Sequence, residues 1–129
     1  MGIKKIINSQ EAPAPIGPYN QAVSTGNLLF ISGQIPLIPE THELVNENIQ
    51  AETRQVMKNL SAILKEAGAD FNNVIKTTIF LTSMDYFAEV NEVYGQYFTG
   101  EYPARETVAV KGLPKNVNVE ISMIAALDI

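Results

Sequence analysis

Val117-Asn118-Val119-Glu120-Ile121-Ser122-Met123-Ile124-Ala125-Ala126-Leu127 alternates along its length. Val117, Val119, Ile121, Met123, Ala125 and Leu127 fall on one side of an extended chain; Asn118, Glu120 and Ser122 fall on the other. The stretch reads as a strand with a core face, and Glu120 stands on the second face between apolar neighbours. Upstream, Arg105 follows Pro103-Ala104 and opens another alternating stretch, Arg105 to Lys111. There Val108 and Val110 read as the core-facing pair, with Arg105 and Thr107 opposite them. A guanidinium and a carboxylate then share the non-core face of one sheet. Such a pair can hold a small acid and activate a water beside it.

Gly112-Leu113-Pro114-Lys115 links these two strands. Val74 to Leu81 has few polar breaks, which predicts a central strand buried on both faces. Between it and Arg105, Phe87, Val90, Tyr94, Tyr97 and Phe98 form the apolar stripe of a helix from about Asp85 to Phe98, capped by Thr82 or Ser83. These aromatics read as core rather than as a ligand cage. A longer helix runs from about Ile49 to Ala67, where Ile49, Val56, Leu60, Ile63, Leu64 and Ala67 recur at threes and fours. Asn46 is the expected cap, and Gly68 ends the helix. Gln21 to Thr25 and Leu28 to Ser32 flank Gly26-Asn27, a two-residue hairpin signal. The order is hairpin, helix, strand, helix, strand, strand. Right-handed crossovers put both helices on one face of a mixed sheet, an α+β arrangement. The other face carries Ile124 and Ala126 beside its polar residues. It is too apolar to be left to water, which predicts self-association and a pocket between subunits.

With 129 residues the chain reads as a single domain, 1–129, and its 46% hydrophobic and 18% charged residues are ordinary for a folded protein. A net charge of -5 argues against a nucleic-acid partner, which needs a basic face. The absence of cysteine excludes disulfides, thiolate metal sites and a cysteine nucleophile. One histidine, His42, falls in a polar turn and reads as solvated; a multi-histidine metal site is excluded. No apolar run reaches the length of a signal peptide core or a membrane span, so a soluble, cytoplasmic protein is expected. Met1-Gly2 opens like a myristoylation signal, but Ile6 stands where that motif requires Ser or Thr.

Several segments, in order and at fitting distances, carry a resemblance over nearly the whole chain. They are Ala14-Pro15-Ile16-Gly17-Pro18-Tyr19, Ser32-Gly33-Gln34-Ile35-Pro36, Val90-Asn91-Glu92-Val93-Tyr94, Pro103-Ala104-Arg105, and Leu113-Pro114-Lys115 with Val119-Glu120-Ile121. Together they resemble the RidA family, also called YjgF/YER057c/UK114. The resemblance implies a chorismate-mutase-like α+β fold with the final strand inside the sheet, and a homotrimer with clefts between subunits. It also implies deaminase activity on 2-iminobutanoate and 2-iminopropanoate. The family's carboxylate-binding arginine falls on Arg105 and its acidic residue on Glu120. Tyr19, Ser32 and Asn91 fall on positions that line or support the cleft, and Gly33 on a close-approach backbone position. The chain departs from the family in reading Arg105-Glu106-Thr107-Val108 where many members have Arg-Ser-Cys-Val. Thr107 keeps a small side chain in the pocket but supplies no thiol. Gly112 replaces a common arginine, Ser122 replaces a frequent second glutamate, and the loop before Pro103 is shorter than in some relatives.

The chemistry so implied requires no metal, flavin or nucleotide. Arg105 grips a 2-imino acid's carboxylate through two parallel bonds, and Glu120 activates a water against the C=N carbon. By spacing alone, Arg105 reads as half of a surface ion pair and Glu120 as a solvated, out-facing strand residue; the resemblance to the family reverses both. Tyr19 reads as turn packing, and Ser32-Gly33 as a strand end where glycine admits a neighbouring backbone. Two other functions remain open: a regulator that binds 2-oxo or 2-imino acids without turnover, and an RNA-directed role, which the acidic balance disfavours.

Overall fold

The computed structural model describes residues 3–128, so the Met1-Gly2 signal lies outside the described residues. Six strands form one sheet: β1 (Lys5–Ile7), β2 (Ala22–Thr25), β3 (Leu28–Gln34), β4 (Val74–Leu81), β5 (Ala104–Ala109) and β6 (Val119–Ala126). Their spatial order is β1-β2-β3-β6-β4-β5. Two helices, α1 (Ile49–Glu66) and α2 (Phe87–Gly95), complete the α+β fold.

The alternation read in β6 holds in space. Val119, Ile121, Met123 and Ala125 are buried, while Glu120, Ser122 and Ile124 are only half covered. The buried row packs with the apolar side of α1, in which Val56, Met57, Leu60, Ile63 and Leu64 are inaccessible to solvent. Each such side chain contributes about 1.5–3 kcal/mol over leaving it exposed. α1 starts at Asn48, two residues after the expected cap, and the Asn48 side chain accepts the Ala51 N–H at 2.8 Å. Both Asn46 and Asn48 are suitable cap residues; Asn48 directly precedes Ile49, the first residue buried against the core.

β2 and β3 form the expected hairpin, with Thr25 opposite Leu28 and Gly26 at φ +57°, a conformation that costs glycine little. β3 runs on to Gln34, and β1, which the sequence reading missed, adds an outer strand of three residues. α2 is shorter than its periodicity suggests. A 3-10 turn, Met84–Tyr86, capped by the Ser83 hydroxyl, precedes it, and the helix ends at Gly95. Phe98 still reaches the core from the following turn, packed on Tyr94 with ring centroids 4.8 Å apart.

The last two strands do not pair with each other. β6 lies antiparallel between β3 and β4, and β5 pairs in parallel with β4 at the sheet edge. β4 is internal, as expected, but covered on one face only: Thr77, Ile79 and Leu81 are buried, whereas Lys76, Thr78 and Phe80 are half exposed. Its apolar run reflects a half-exposed Phe80 on the face away from the helices.

β6 is fixed at its start by a buried carboxylate. Glu52 of α1, 2% exposed, accepts the Asn118 backbone N–H at 3.0 Å and the Asn118 amide at 2.9 Å. Thr82, after β4, donates its hydroxyl to Asn118 Oδ1 and its N–H to Asn118 O. Helix, strand end and final strand are joined at one residue, which sets where Glu120 emerges.

Candidate functional site

Glu120 lies opposite Phe80, and Phe80 opposite Val108, so these three share the face away from the helices, the open face. Its carboxylate lies against β3, where the register shifts between Ile31 and Gln34. A Cβ added to Gly33 would stand 2.5 Å from Glu120 Oε2 and 3.0 Å from its Cγ. A side chain at Gly33 would have to push the Glu120 carboxylate aside, because the glutamate side chain crosses directly over this backbone. Burial holds the Glu120 carboxyl above its ordinary value of 4.5.

Tyr19 and Ser32 border the same region. Ser32 donates its hydroxyl to Asn20 O at 2.7 Å and its N–H to Gln21 O at 2.8 Å. Gln21 is buried, and its amide donates to the Ser9, Ala12 and Pro13 carbonyls, tying down the proline-rich entry that presents Tyr19. Tyr19 and Gly33 line one small depression, and Tyr19 and Ser32 another.

Arg105 is elsewhere. It pairs with Thr77, a buried core-face residue, so Arg105 and, by alternation, Thr107 point toward the helices. This corrects the phase read from the sequence. Val108 is 43% exposed on the open face, where the pattern had placed it in the core. The guanidinium carbon of Arg105 lies 5.2 Å from the Tyr94 ring centre and 5.7 Å from that of Phe87, both within cation–π range. Arg105, Asn91, Tyr94, Gly95, Tyr102 and Pro103 line an open cavity of about 320 Å³. Among the described residues Arg105 has no carboxylate partner; the neighbouring Glu106 pairs instead with Lys76 at 3.3 Å. The Thr107 hydroxyl oxygen is buried without a hydrogen-bond partner among the described residues.

The sequence-predicted residues therefore gather in two places. Tyr19, Ser32, Gly33 and Glu120 meet at the open face; Asn91 and Arg105 meet under α2, and Thr107 shares that side of β5. Glu120 and Arg105 are separated by two strand spacings and three residues along β5, about 14 Å between Cα atoms, with side chains on opposite faces. A three- or four-carbon acid spans only about 5 Å. Phe87 and Tyr94, whose rings face Arg105, read in the sequence only as core residues of a helix stripe, and Thr77, its strand partner, carries no signal at all. A larger depression of about 590 Å³, between Arg54, Lys58 and Lys65 on one side and Glu11 and Glu40 on the other, includes none of the candidate residues.

Residues 9–127 match the family model described as Endoribonuclease L-PSP, the family that includes the RidA proteins. The chain belongs to this family. It is 54% identical over 121 residues to the putative regulator AldR of Lactococcus lactis, covering 94% of this chain and 96% of that protein. It is 49% identical over 123 residues to the 2-iminobutanoate/2-iminopropanoate deaminase of Mus musculus, covering 95% of this chain and 91% of the mouse protein. The solved structure of E. coli TdcF with bound serine superposes with a TM-score of 0.92 at 43% identity, covering 96% and 99% of the two chains. The fold of the RidA family is thus the fold of this chain, with β6 inside the sheet.

Proposed function

We propose that this chain hydrolyses 2-iminobutanoate and 2-iminopropanoate to the 2-oxo acids and ammonia, as a homotrimer whose reacting clefts lie between copies. The supporting observation is Glu120, a half-buried carboxyl whose proton affinity is raised by desolvation and which has no ion-pair partner among the described residues. A carboxylate made more basic by burial and left without an ion-pair partner suits the role of general base. The mouse relative's name points to the same reaction. Arg105, free of carboxylate partners and open to a cavity, is suited to a bidentate grip on the substrate carboxylate.

The reaction needs little else. The protonated imine carbon is electrophilic. Glu120 takes a proton from a water as its oxygen bonds to that carbon, giving a carbinolamine. Glu120 then returns the proton to nitrogen. As the C–N bond breaks, the carbinol O–H gives its proton back to the Glu120 carboxylate, the C=O forms, and the 2-oxo acid leaves with ammonia, which carries that proton away as ammonium. Positioning and one base supply the acceleration. Because Glu120 and Arg105 face opposite sides of their own sheet, the two that touch one substrate come from different copies. The open face, where Phe30 and Val108 are about two-fifths exposed, is the surface suited to that association.

The test is a coupled assay in which a dehydratase generates 2-aminoacrylate from serine. Added protein should accelerate loss of the derived imine, with or without chelator; unchanged decay at high protein concentration overturns the reading. A second reading, a regulator that binds such acids without turnover, is favoured by the name of the Lactococcus relative. It requires Arg105 but is indifferent to Glu120, so Glu120→Gln separates the two. An RNA-directed role, suggested by the family's description, is opposed by the net charge of -5.

A further inference from the structure

Arg105 can only act as a carboxylate fork if its guanidinium is held in one orientation, and no acid among the described residues holds it. An arginine side chain has several freely rotating bonds, and fixing them at the moment of binding weakens affinity. The structure supplies a different restraint. Tyr94 presents its ring to the guanidinium at 5.2 Å, and Phe87 presents a second ring at 5.7 Å. Tyr94 is itself fixed: it is 4% exposed, its ring packs on Phe98, and its hydroxyl donates to Thr77 Oγ1 at 2.9 Å. Thr77 is the residue of β4 that pairs with Arg105 of β5. The tyrosine is thus anchored to the strand position beside the arginine whose head it covers.

We propose that Tyr94, pinned by Thr77, is a positioning residue that orients the Arg105 guanidinium for the substrate carboxylate. The proposal rests on Arg105 being the carboxylate-binding residue. The two cooperating contacts differ in kind. The ring provides a planar, electron-rich surface that a flat guanidinium can stack against without using its N–H donors. The Tyr94–Thr77 hydrogen bond adds no contact to Arg105 and fixes only where the ring lies. Burial raises the pKa of the tyrosine hydroxyl above its ordinary value of 10.0, against the opposing pull of Thr77 and Arg105, so the ring faces the guanidinium as a neutral π surface. A carboxylate in the place of Tyr94 would also orient the arginine, but it would occupy the donors that the substrate needs.

Pyruvate, a stable 2-oxo acid, is the probe, titrated calorimetrically against the whole protein. Tyr94→Leu should weaken pyruvate binding about five- to tenfold and raise KM for imine by a similar factor, with kcat nearly unchanged. Tyr94→Phe keeps the ring and should recover most of that loss. Thr77→Val should reproduce the small remaining defect of Tyr94→Phe, and the double variant should be no worse than either single one. A merely structural role would lower the melting temperature of these variants without this split between KM and kcat. If Tyr94→Leu does not fold, additive effects of Tyr94→Phe and Thr77→Val on pyruvate binding overturn the proposal. Unaltered pyruvate binding by folded Tyr94→Leu, while Arg105→Lys binds weakly, overturns the clamp alone. Arg105→Lys binding as tightly as the unaltered chain, or no pyruvate binding by the unaltered chain, removes the underlying reading and the clamp together.

Discussion

The two faces of the sheet solve different problems with different materials. On the open face, a carboxyl is brought against bare backbone: a register shift in β3 sets Gly33 beneath Glu120, and partial burial makes the carboxylate a better proton acceptor. Under α2, a cation is brought against aromatic faces, with no carboxylate partner among the described residues. The first arrangement depends on strand register and the absence of a side chain. The second depends on helix-to-sheet packing and large side chains. The two clusters lie on opposite faces of one sheet, with the Glu120 and Arg105 Cα atoms about 14 Å apart.

Mixing copies gives the most decisive attack on that comparison. Glu120→Gln and Arg105→Ala should each lower turnover ~10²-fold or more. If the two residues of one cleft come from different copies, co-assembled trimers of the two variants regain clefts with both native residues. At equal mixing about a quarter of the clefts are intact, so activity should rise to roughly that share of the unaltered protein. Recovery of nothing, in samples shown to exchange subunits, would mean that one chain supplies both residues. Gly33→Ala tests the open-face cluster by itself. The new methyl group displaces the Glu120 carboxylate, so kcat should fall about 10- to 10²-fold while pyruvate binding changes little. Equal damage to binding and turnover would show the two clusters to be less separate than described. Arg105→Lys keeps the charge and loses the planar fork, so pyruvate binding should weaken about tenfold, with turnover falling alongside it.

Smaller effects follow from titration. A base must be ionised to act, so the acid limb of the kcat/KM profile should lie above the ordinary value of 4.5 and disappear in Glu120→Gln. The stability effect has the opposite sense. With the folded pKa raised, the folded state binds more protons between the unfolded and folded values. Stability attributable to Glu120 is therefore present below the ordinary value of 4.5 and is lost as pH rises through the folded one. Melting curves should show Glu120→Gln at least as stable as the unaltered protein at pH 7, with the advantage vanishing in acid. Asn48→Ala, which removes a helix cap and no residue of either cluster, should cost about 1 kcal/mol in denaturant unfolding and leave kcat/KM unchanged.

What the sequence made legible follows the length of each pattern. β6 carries its alternation over eight strand residues, so its phase is unambiguous. α1 spans 18 residues, and one buried face accounts for its periodicity. β5 has six residues at a sheet edge, and its Val108 faces out in this chain, so local alternation assigned the wrong side to Arg105. Its true phase is set by pairing with Thr77, a contact no local window contains. The family pattern identified Arg105 and Glu120 without revealing that they diverge. Tyr94 was visible as a core residue; its contact with the guanidinium leaves no separate mark, because the same helical position serves both.

The position of β6 has a consequence for the order in which the molecule can be made. The last strand in the chain lies in the middle of the sheet, between β3 and β4. During synthesis, the hairpin side and the β4–β5 side therefore emerge first as two partial sheets, each with a long edge of unpaired backbone. Their shared edge closes only when β6 arrives and Asn118 reaches Glu52. Nascent chains lacking β6 present the kind of edge that pairs with other chains, and the sheet's long-range pairings slow closure. A ribosome-arrested chain should gain protease resistance in one late step, after β6 has cleared the exit tunnel, rather than in increments as each helix appears.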